Sequence, residues 1–376
     1  MIPFLKVASS LTGKRWVGPS LEQSRRSEAI SQQTGHPDLL ARILAQRGVP
    51  PDKVAEYLEP TLRDLMPDPS TLKEMDRAAA RFMQAIQKSE KIAIFADYDV
   101  DGGASAALLL TWLRDIGASA TLYIPDRIDE GYGPNEAAMT SLGATHDLIV
   151  CVDCGTLSHV AIKAANRDVI VLDHHLGGET LPDAIVVNPN RQDESGEHGY
   201  LCAAGVVFLF LVAVNRLRRA ESQSQPSLIS MLDLVALATV ADVAPLIGLN
   251  RAFVRQGLKV MAGRGRPALP RWPMSPNWHR HPPLTTSASS LAHASTLAAV
   301  SVPPILARGC FQPTTPPKPP NWRDASITSI PNAAPSKPTF SPVPLPNPSN
   351  ATKPALWSGP PLKAGTPAWL ASSPPG

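Results

Sequence analysis

Five short, continuously apolar runs alternate with helical patterns between residues 91 and 187. The runs are 91–96 (KIAIFA), 121–124 (TLYI), 147–152 (DLIVCV), 169–172 (VIVL) and 184–187 (AIVV). Helical spacing of apolar residues separates them over 104–116, 135–142 and 158–166. Strands that are apolar throughout are buried on both faces, which is typical of parallel sheets in α/β proteins. The sequence therefore predicts an α/β fold: a parallel five-stranded sheet with helices on both faces.

Helical patterns also flank this region. On the amino-terminal side they cover 36–47, 51–58 and 72–87, and on the carboxyl-terminal side 202–218 and 228–241. Prolines punctuate the amino-terminal patterns, as they do between helices. We expect an amino-terminal helical region over 1–89 and an α/β domain over 90–269.

The remaining segment, 270–376, differs sharply in composition. It holds 25 of the 40 prolines and carries a formal charge of +7, whereas residues 1–269 carry −4. The overall charge of +3 is thus the sum of two unlike parts and does not indicate a basic nucleic-acid-binding protein. This composition predicts a disordered tail. Two origins remain open, a frameshift in a GC-rich reading frame and a natural disordered extension.

The cysteines and the apolar segments indicate the cellular compartment of the protein. Four cysteines in a chain of 376 residues provide no disulfide framework. Cys151 and Cys154 form a C-x-x-C without a second pair, so packing is favoured over zinc or redox use. The longest apolar run, 201–214, is too short to span a bilayer, and the amino terminus lacks an apolar signal segment. We expect a cytoplasmic protein without membrane contact.

Polar side chains follow three of the predicted strands directly. The first strand continues into Asp97, Asp99 and Asp101 (DYDVDG), the third into Asp153, and the fourth into Asp173-His174-His175. Because ligands of open parallel sheets bind beyond the carboxyl ends of the strands, these groups should meet at one edge.

Carboxylates with one or two imidazoles suit Mn²⁺ or Mg²⁺. Several carboxylates can hold two ions that hydrolyse phosphoesters, and without cations so many acids would repel one another. Taken singly, each motif also fits a turn or a helix cap. A calcium loop is disfavoured because Leu108 stands where its final acid belongs.

These motifs resemble those of a known family. DYDVDG, VDCG (residues 152–155) and DHH, in this order, are similar to the first three motifs of the DHH phosphoesterases. A fourth resemblance lies at 238–243 (ATVADV), where the family supplies another metal-binding aspartate, here Asp242. Asp233 precedes it by nine residues, which places it on the opposite face of a helix and outside the site.

Further sequence segments are similar to those of the RecJ-like exonucleases within this family. They are LTGKRWV (11–17), YLEPTLRDLMPDPS (57–70), MDRAAARF (75–82), PDRIDEGYGP (125–134), NPNR (188–191), CAAGVVF (202–208) and GLNRAFVRQGL (248–258). The resemblance covers about residues 10 to 269.

The resemblance implies a single-stranded-DNA-specific 5′–3′ exonuclease of DNA repair and recombination that uses two Mn²⁺ or Mg²⁺ ions. The implied metal ligands are Asp97, Asp99, Asp101, Asp153, His174 and Asp242. Catalytic roles fall to Asp99, Asp101, Asp153, His174 and His175. Of these, His175 is expected to contact the scissile phosphate. Arg127 is a candidate phosphate contact and equally a solvated loop arginine.

The resemblance stops near residue 267. Members of the family continue into a second domain, called DHHA1, and an OB-type module, and neither pattern is recognisable in the sequence that follows. Single-stranded DNA is the expected partner, but a chain of this kind is expected to hydrolyse it poorly. Two alternatives stay open: a DHH phosphoesterase acting on short or cyclic oligonucleotides or pyrophosphate, and a catalytically impaired fragment.

Overall fold

A computed structural model describes residues 4–126, 128 and 130–263. The predicted disordered segment, 270–376, and the candidate phosphate contact Arg127 lie outside the described residues.

Five helices precede the sheet. They are α1 (Leu21–Thr34), α2 (Asp38–Gln46), α3 (Val54–Leu58), α4 (Leu62–Leu65) and α5 (Met75–Gln87), with 3₁₀ turns at Phe4–Lys6, Pro51–Lys53 and Pro69–Thr71. The first, α1, was not predicted, because its only buried residue is Ile30 and its surface is almost wholly polar. Its start is nevertheless encoded locally: the Ser20 side chain and the Gln23 side chain form a reciprocal capping box.

The predicted parallel sheet is confirmed. Its strands are β1 (Ile92–Ala96), β2 (Ala120–Tyr123), β3 (Leu148–Val152), β4 (Asp168–Leu172) and β5 (Ile185–Val187). All neighbouring strands pair in parallel, in the order β2-β1-β3-β4-β5. The chain thus adds β2 on one side of β1 and β3 on the other. Such a reversal between β1 and β3 is the position at which doubly wound sheets form their binding crevice.

Helices cover both faces of the sheet, as the apolar strands predict. Between the strands lie α6 (Val100–Asp115), α7 (Glu136–Thr145) and α8 (His159–Ala165). Alternate strand residues such as Ile94 and Val150 join the larger core, which includes Phe82 of α5 and Trp112 of α6. The intervening residues, Phe95 among them, pack with α7 and α8 in a second core.

Three long helices complete the described chain. They are α9 (Ala203–Ala220), α10 (Leu232–Ala241), which follows a 3₁₀ turn at Ile229–Met231, and α11 (Gly248–Ala262). The predicted apolar run 201–214 forms most of α9, whose residues from Ala203 to Leu211 are all buried. It is therefore a core helix. Among the described residues no helix is long and apolar enough to cross a bilayer.

Candidate metal centre

The site lies at the carboxyl edge of the sheet, beside the reversal between β1 and β3. Asp97 directly follows β1, Asp153 directly follows β3, and Asp173-His174-His175 directly follow β4. Asp242 reaches the same edge as the residue that ends α10. The sheet thus brings together side chains that are up to 145 positions apart in the sequence.

Seven of the predicted site residues fall into three groups with metal-ligand spacing. In each group, one ligand atom per residue lies within 4.8 Å of the others. The groups are Asp97–Asp99–Asp153, Asp101–His174–Asp242 and Asp153–His174–His175. Asp233 is in none of the groups found among the described residues, and its exclusion from the site stays a prediction from the helical spacing.

His174 lies at the centre of the cluster. Its Nε2 is 3.3 Å from Asp153 Oδ1 and 3.7 Å from Asp101 Oδ2, and its Nδ1 is 3.9 Å from Asp242 Oδ2. Burial lowers the pKa of His174, although Asp242 opposes this effect. A lowered pKa favours the neutral imidazole, the form that coordinates metal ions.

The DYDVDG motif starts a helix as well as supplying carboxylates. Asp99 is the N-cap of α6, and its Oδ1 accepts hydrogen bonds from the backbone N–H groups of Asp101 (2.9 Å) and Gly102 (3.0 Å). At Gly102 a Cβ atom would overlap the backbone of Asp97, so only glycine fits there. The helix-cap interpretation and the ligand interpretation of this motif are therefore compatible.

Asp101 joins the site to α9. Its Oδ2 and Oδ1 accept hydrogen bonds from the N–H groups of Ala203 (2.6 Å) and Ala204 (2.8 Å), at the first turn of that helix. Since each carboxylate oxygen has two lone pairs, these bonds leave acceptor capacity toward the cluster.

Buried like charges dominate the electrostatics of the site. Burial, with repulsion from Asp99, raises the pKa of Asp97 to about 7. Burial also raises the pKa values of Asp101 and Asp153 well above the ordinary range, with Asp99 again adding to the effect. The pKa of Asp242 is raised by burial too. Four carboxyl groups therefore resist ionisation as long as no cation lies among them.

Asp173, to which the sequence analysis assigned no role, is the hydrogen-bond partner of both histidines. Its Oδ1 accepts hydrogen bonds from His175 Nδ1 (2.8 Å) and from the backbone N–H of His174 (2.7 Å). Its Oδ2 accepts from the Thr156 hydroxyl (2.7 Å) and N–H (3.1 Å). Although burial acts in the opposite direction, the hydrogen bond and charge of His175 hold the pKa of Asp173 below its usual range. Asp173 thus orients His175.

Tyr132 was also missed, although its loop had been singled out. Its hydroxyl lies 3.0 Å from His175 Nε2 and 3.4 Å from the Asp153 carbonyl oxygen, and the residue is 57% exposed. The ring also meets Tyr98 edge-on at 6.4 Å. The signal available was an aromatic residue between two glycines, Gly131 and Gly133, which both adopt positive φ.

The backbone around the site adopts unusual conformations. Asp153 has a φ of 62° and Val243, directly after Asp242, a φ of 57°. Positive φ is tolerated by aspartate but is a genuine outlier for a β-branched residue. Such conformations cluster at functional sites, where the surrounding structure holds them in place.

Both thiols of the C-x-x-C pair are packing groups. Cys151 and Cys154 are buried, and burial raises the pKa of each thiol above its ordinary value. A thiol held protonated in this way is a poor metal ligand and a poor nucleophile, so the packing interpretation is favoured.

The residues present fit divalent metal ions. Asp97 Oδ1 and Asp153 Oδ1 are buried and accept no hydrogen bond from the described residues, although Asp153 Oδ1 lies 3.3 Å from His174 Nε2. Buried polar atoms are nearly always paired, so an unpaired carboxylate oxygen requires an explanation. Two such oxygens within one set of carboxylates and imidazoles match the ligand preferences of Mn²⁺ and Mg²⁺.

Comparison with protein families agrees with the motifs. Residues 91–239 match the family described as DHH family, N-terminal domain. The chain carries a DHH domain. This domain comprises β1 to β5 together with α6 to α9 and most of α10.

Proteins with related DHH domains are known exonucleases. The chain is 39% identical over 246 residues to the single-stranded-DNA-specific exonuclease RecJ of Dickeya dadantii, covering 62% of this chain and 42% of the relative. It is 35% identical over 246 residues to RecJ of Escherichia coli, with the same two coverages, 62% and 42%. The chain thus spans less than half the length of these relatives.

A solved structure shares the fold. The crystal structure of RecJ in complex with Mn²⁺ from Thermus thermophilus superposes with a TM-score of 0.54 at 30% identity. The match covers 67% of this chain and 35% of that one. The α/β fold of the DHH domain is therefore the fold of that RecJ domain.

Proposed function

We propose that this chain supplies the catalytic DHH domain of a metal-dependent, single-stranded-DNA-specific exonuclease. One observation carries the proposal. Buried carboxylates, two of which have an oxygen that accepts no hydrogen bond, converge with His174 and His175 at the carboxyl edge of the sheet, in a domain similar to those of RecJ exonucleases.

Six residues would hold two divalent cations, Mn²⁺ or Mg²⁺. They are Asp97, Asp99, Asp101, Asp153, His174 and Asp242. When bound, such ions supply Lewis acidity, which activates water and neutralises charge on the phosphodiester. The burial of Asp97 and Asp153 serves this role, because carboxylates withdrawn from water interact strongly with a cation.

His175 differs from His174 in exposure and partners. Its side chain is 47% exposed, whereas that of His174 is 15% exposed. The hydrogen bond that His175 donates to Asp173 raises the pKa of His175, which favours the imidazolium form. With Nδ1 held by Asp173, the ring directs Nε2 toward Tyr132 at the open side of the site. We assign it the contact with the scissile phosphate, where a proton-bearing Nε2 can donate to a phosphate oxygen.

Single-stranded DNA is the proposed substrate because the two relatives compared here are specific for it. The exposed ring of Tyr132 offers a face on which an unstacked base can pack. The 5′–3′ direction and a cytoplasmic role in DNA repair and recombination are further parts of the proposal, drawn from the family resemblance. Arg127 remains a candidate phosphate contact.

The test compares substrates and metals on the full chain. We expect Mn²⁺-dependent release of mononucleotides from 5′-phosphorylated single strands, with slower or no hydrolysis of duplex DNA and cyclic dinucleotides. In Asp99→Asn the turnover should be lost while the circular dichroism spectrum is unchanged. Preferential hydrolysis of cyclic or very short oligonucleotides would instead assign the domain to another branch of the phosphoesterases. Full activity of Asp99→Asn would refute the site.

A further inference from the structure

The segment that follows β5, Asn188-Pro189-Asn190-Arg191, supplies no carboxylate, imidazole or thiol to the metal cluster. Yet Asn188 is fully buried, and the segment lies beside the loop that carries both histidines. A buried asparagine requires hydrogen-bond partners, so the partners reveal what the segment does.

Asn188 is bonded to the His175 loop in two ways. Its Nδ2 donates to the carbonyl oxygen of His175 (2.8 Å) and to the hydroxyl oxygen of Thr156 (2.8 Å). The Thr156 hydroxyl in turn donates to Asp173, the carboxylate that receives His175 Nδ1. One amide group thus contacts the backbone of His175 directly and its ring through two intermediates.

Asn190 does the same for the preceding histidine. Its Nδ2 donates to the carbonyl oxygen of His174 (2.6 Å) and to that of Gly199 (3.1 Å). The backbone N–H of Asn190 donates to Asn188 Oδ1 (2.8 Å), which couples the two side chains. Consecutive histidine carbonyls are therefore each bound by one asparagine.

Arg191 anchors this pair to the sheet. Its guanidinium donates to the Val186 carbonyl oxygen in β5 (2.6 Å) and makes two bonds to Asp193, both 2.9 Å long. The backbone N–H of Gly177 donates to the Asn190 carbonyl oxygen (3.0 Å), which closes the histidine loop against the segment. The asparagines are consequently tied to the end of the edge strand β5.

We propose that Asn188 and Asn190 are positioning residues that clamp the two histidines for metal and phosphate contact. The inference rests on the proposed metal site and deepens it. Residues 173 to 178 form no helix or strand, so the position of both rings depends on side-chain bonds to this loop. Groups that orient metal ligands commonly change metal affinity by about 10- to 100-fold when they are removed.

The experiment replaces each amide with an isosteric carboxylate. Asn188→Asp and Asn190→Asp remove the Nδ2 donors at nearly constant volume. The matched control is Asn215→Asp: Asn215 is also buried, donates to the Pro226 carbonyl oxygen (3.0 Å) and accepts from Trp112 (2.9 Å), but lies within α9. The readouts are Mn²⁺ affinity by titration calorimetry or electron paramagnetic resonance, and the melting temperature without metal.

We expect Mn²⁺ affinity to fall about 10-fold or more in Asn188→Asp and Asn190→Asp. The added negative charge would by itself strengthen cation binding, so a loss cannot arise from charge. Asn215→Asp should lower the melting temperature but leave Mn²⁺ affinity within about 2-fold of the parent value. Asn190→Ala, at a half-buried position, provides a neutral variant in case the buried carboxylate of Asn188→Asp prevents folding.

Two results are contrary and can be told apart. If the parent chain binds Mn²⁺ and the folded asparagine variants bind it equally well, the clamp is refuted and the metal site stands. If the parent chain binds no Mn²⁺, the proposed function fails and the clamp fails with it.

Discussion

The two edges of the sheet differ in whether their acidic side chains form ion pairs with arginine or lysine. At the carboxyl edge, Asp97, Asp101 and Asp153 are buried without an arginine or lysine ion pair among the described residues. At the amino edge, Arg81 lies between Glu90 (2.7 Å) and Asp168 (2.6 Å).

This contrast distinguishes charges that stabilise the fold from charges that are available to bind a cation. At the amino edge Glu90 and Asp168 share Arg81 as their cation, so these two acids are paired within the chain. At the carboxyl edge the ion pairs of the described residues involve only imidazoles, and the carboxyl pKa values rise because burial and repulsion outweigh them. An uncompensated acidic cluster inside a stable domain indicates that a cation from outside completes it.

The largest expected effect comes from substituting one aspartate at each edge, in two separate variants. Asp153→Asn should reduce Mn²⁺-dependent hydrolysis by about 10³-fold or more, because it removes a group shared by two ligand sets. Asparagine tolerates the positive φ of Asp153, so the backbone should not change. Asp168→Asn at the amino edge should alter the rate by less than about 2-fold. The measurement is the initial rate of hydrolysis of one single-stranded substrate by each variant. Equal losses of rate in both variants would contradict the proposed difference between the edges.

The second prediction concerns the loss of the Arg81 ion pairs at the amino edge. Arg81→Met should lower the free energy of unfolding by about 1–3 kcal/mol, because it leaves Glu90, whose side chain is only 19% exposed, without its cation. Asp168 contributes less because its side chain is 63% exposed. Arg77→Met, in an exposed pair with Glu74, is the control and should cost less than about 0.5 kcal/mol. Urea unfolding monitored by circular dichroism measures both. Indistinguishable stabilities would contradict the account.

The third prediction concerns pH at the uncompensated edge. The pKa of Asp97 is about 7 in the folded chain, above its usual 3.8. Between these values the folded state retains a proton that the unfolded state has lost, so stability without metal falls as pH rises from about 4 to 7. Asp97→Asn should therefore stabilise the metal-free protein by about 1–2 kcal/mol at pH 7.5 and by less at pH 5. Thermal melts in EDTA at both pH values check this. A destabilised variant at pH 7.5 would show that Asp97 is compensated after all.

The smallest effect concerns backbone strain. At the amino edge the non-glycine positive-φ residues next to the strands are Ser89 and Asn166, which are ordinary turn residues, whereas at the carboxyl edge one is Val243. Val243 is 84% exposed, so its side chain contributes little packing. Val243→Asn should stabilise the metal-free chain by up to about 1 kcal/mol, because asparagine adopts positive φ more readily. A lower melting temperature for this variant would indicate that Val243 is not strained.

Much of the sheet could be predicted because its strands are buried on both faces. The predicted run 147–152 became Leu148–Val152, and 169–172 became Asp168–Leu172. The predicted helix 104–116 instead begins at Val100, because the Asp99 side chain caps it within the motif itself. The helix α1 was missed because it buries a single residue, and hydrophobic periodicity cannot detect such a helix.

The residues of the candidate ligand groups could be listed from the sequence, whereas the hydrogen bonds that support them could not. All seven residues of the three ligand groups were identified from their positions after apolar strands and from family motifs. Asp173 was passed over because a strand-end aspartate gives no sign of which imidazole it will bind. Tyr132 and His175 are 43 positions apart, and only the fold brings them to 3.0 Å. Asn188 and Asn190 lie in the segment NPNR, whose resemblance to the family was noted without a function being assigned to it.

The most direct test of the uncompensated edge is an equilibrium titration of the metal-free chain with Mn²⁺ near pH 7.5. The account predicts two bound ions per chain and a rise in melting temperature with metal concentration, as expected when a ligand binds only the folded state. Asp153→Asn should bind fewer ions, and Asp168→Asn should bind as many as the parent chain. Absence of bound Mn²⁺ at millimolar concentration, or an unchanged stoichiometry in Asp153→Asn, would contradict the account.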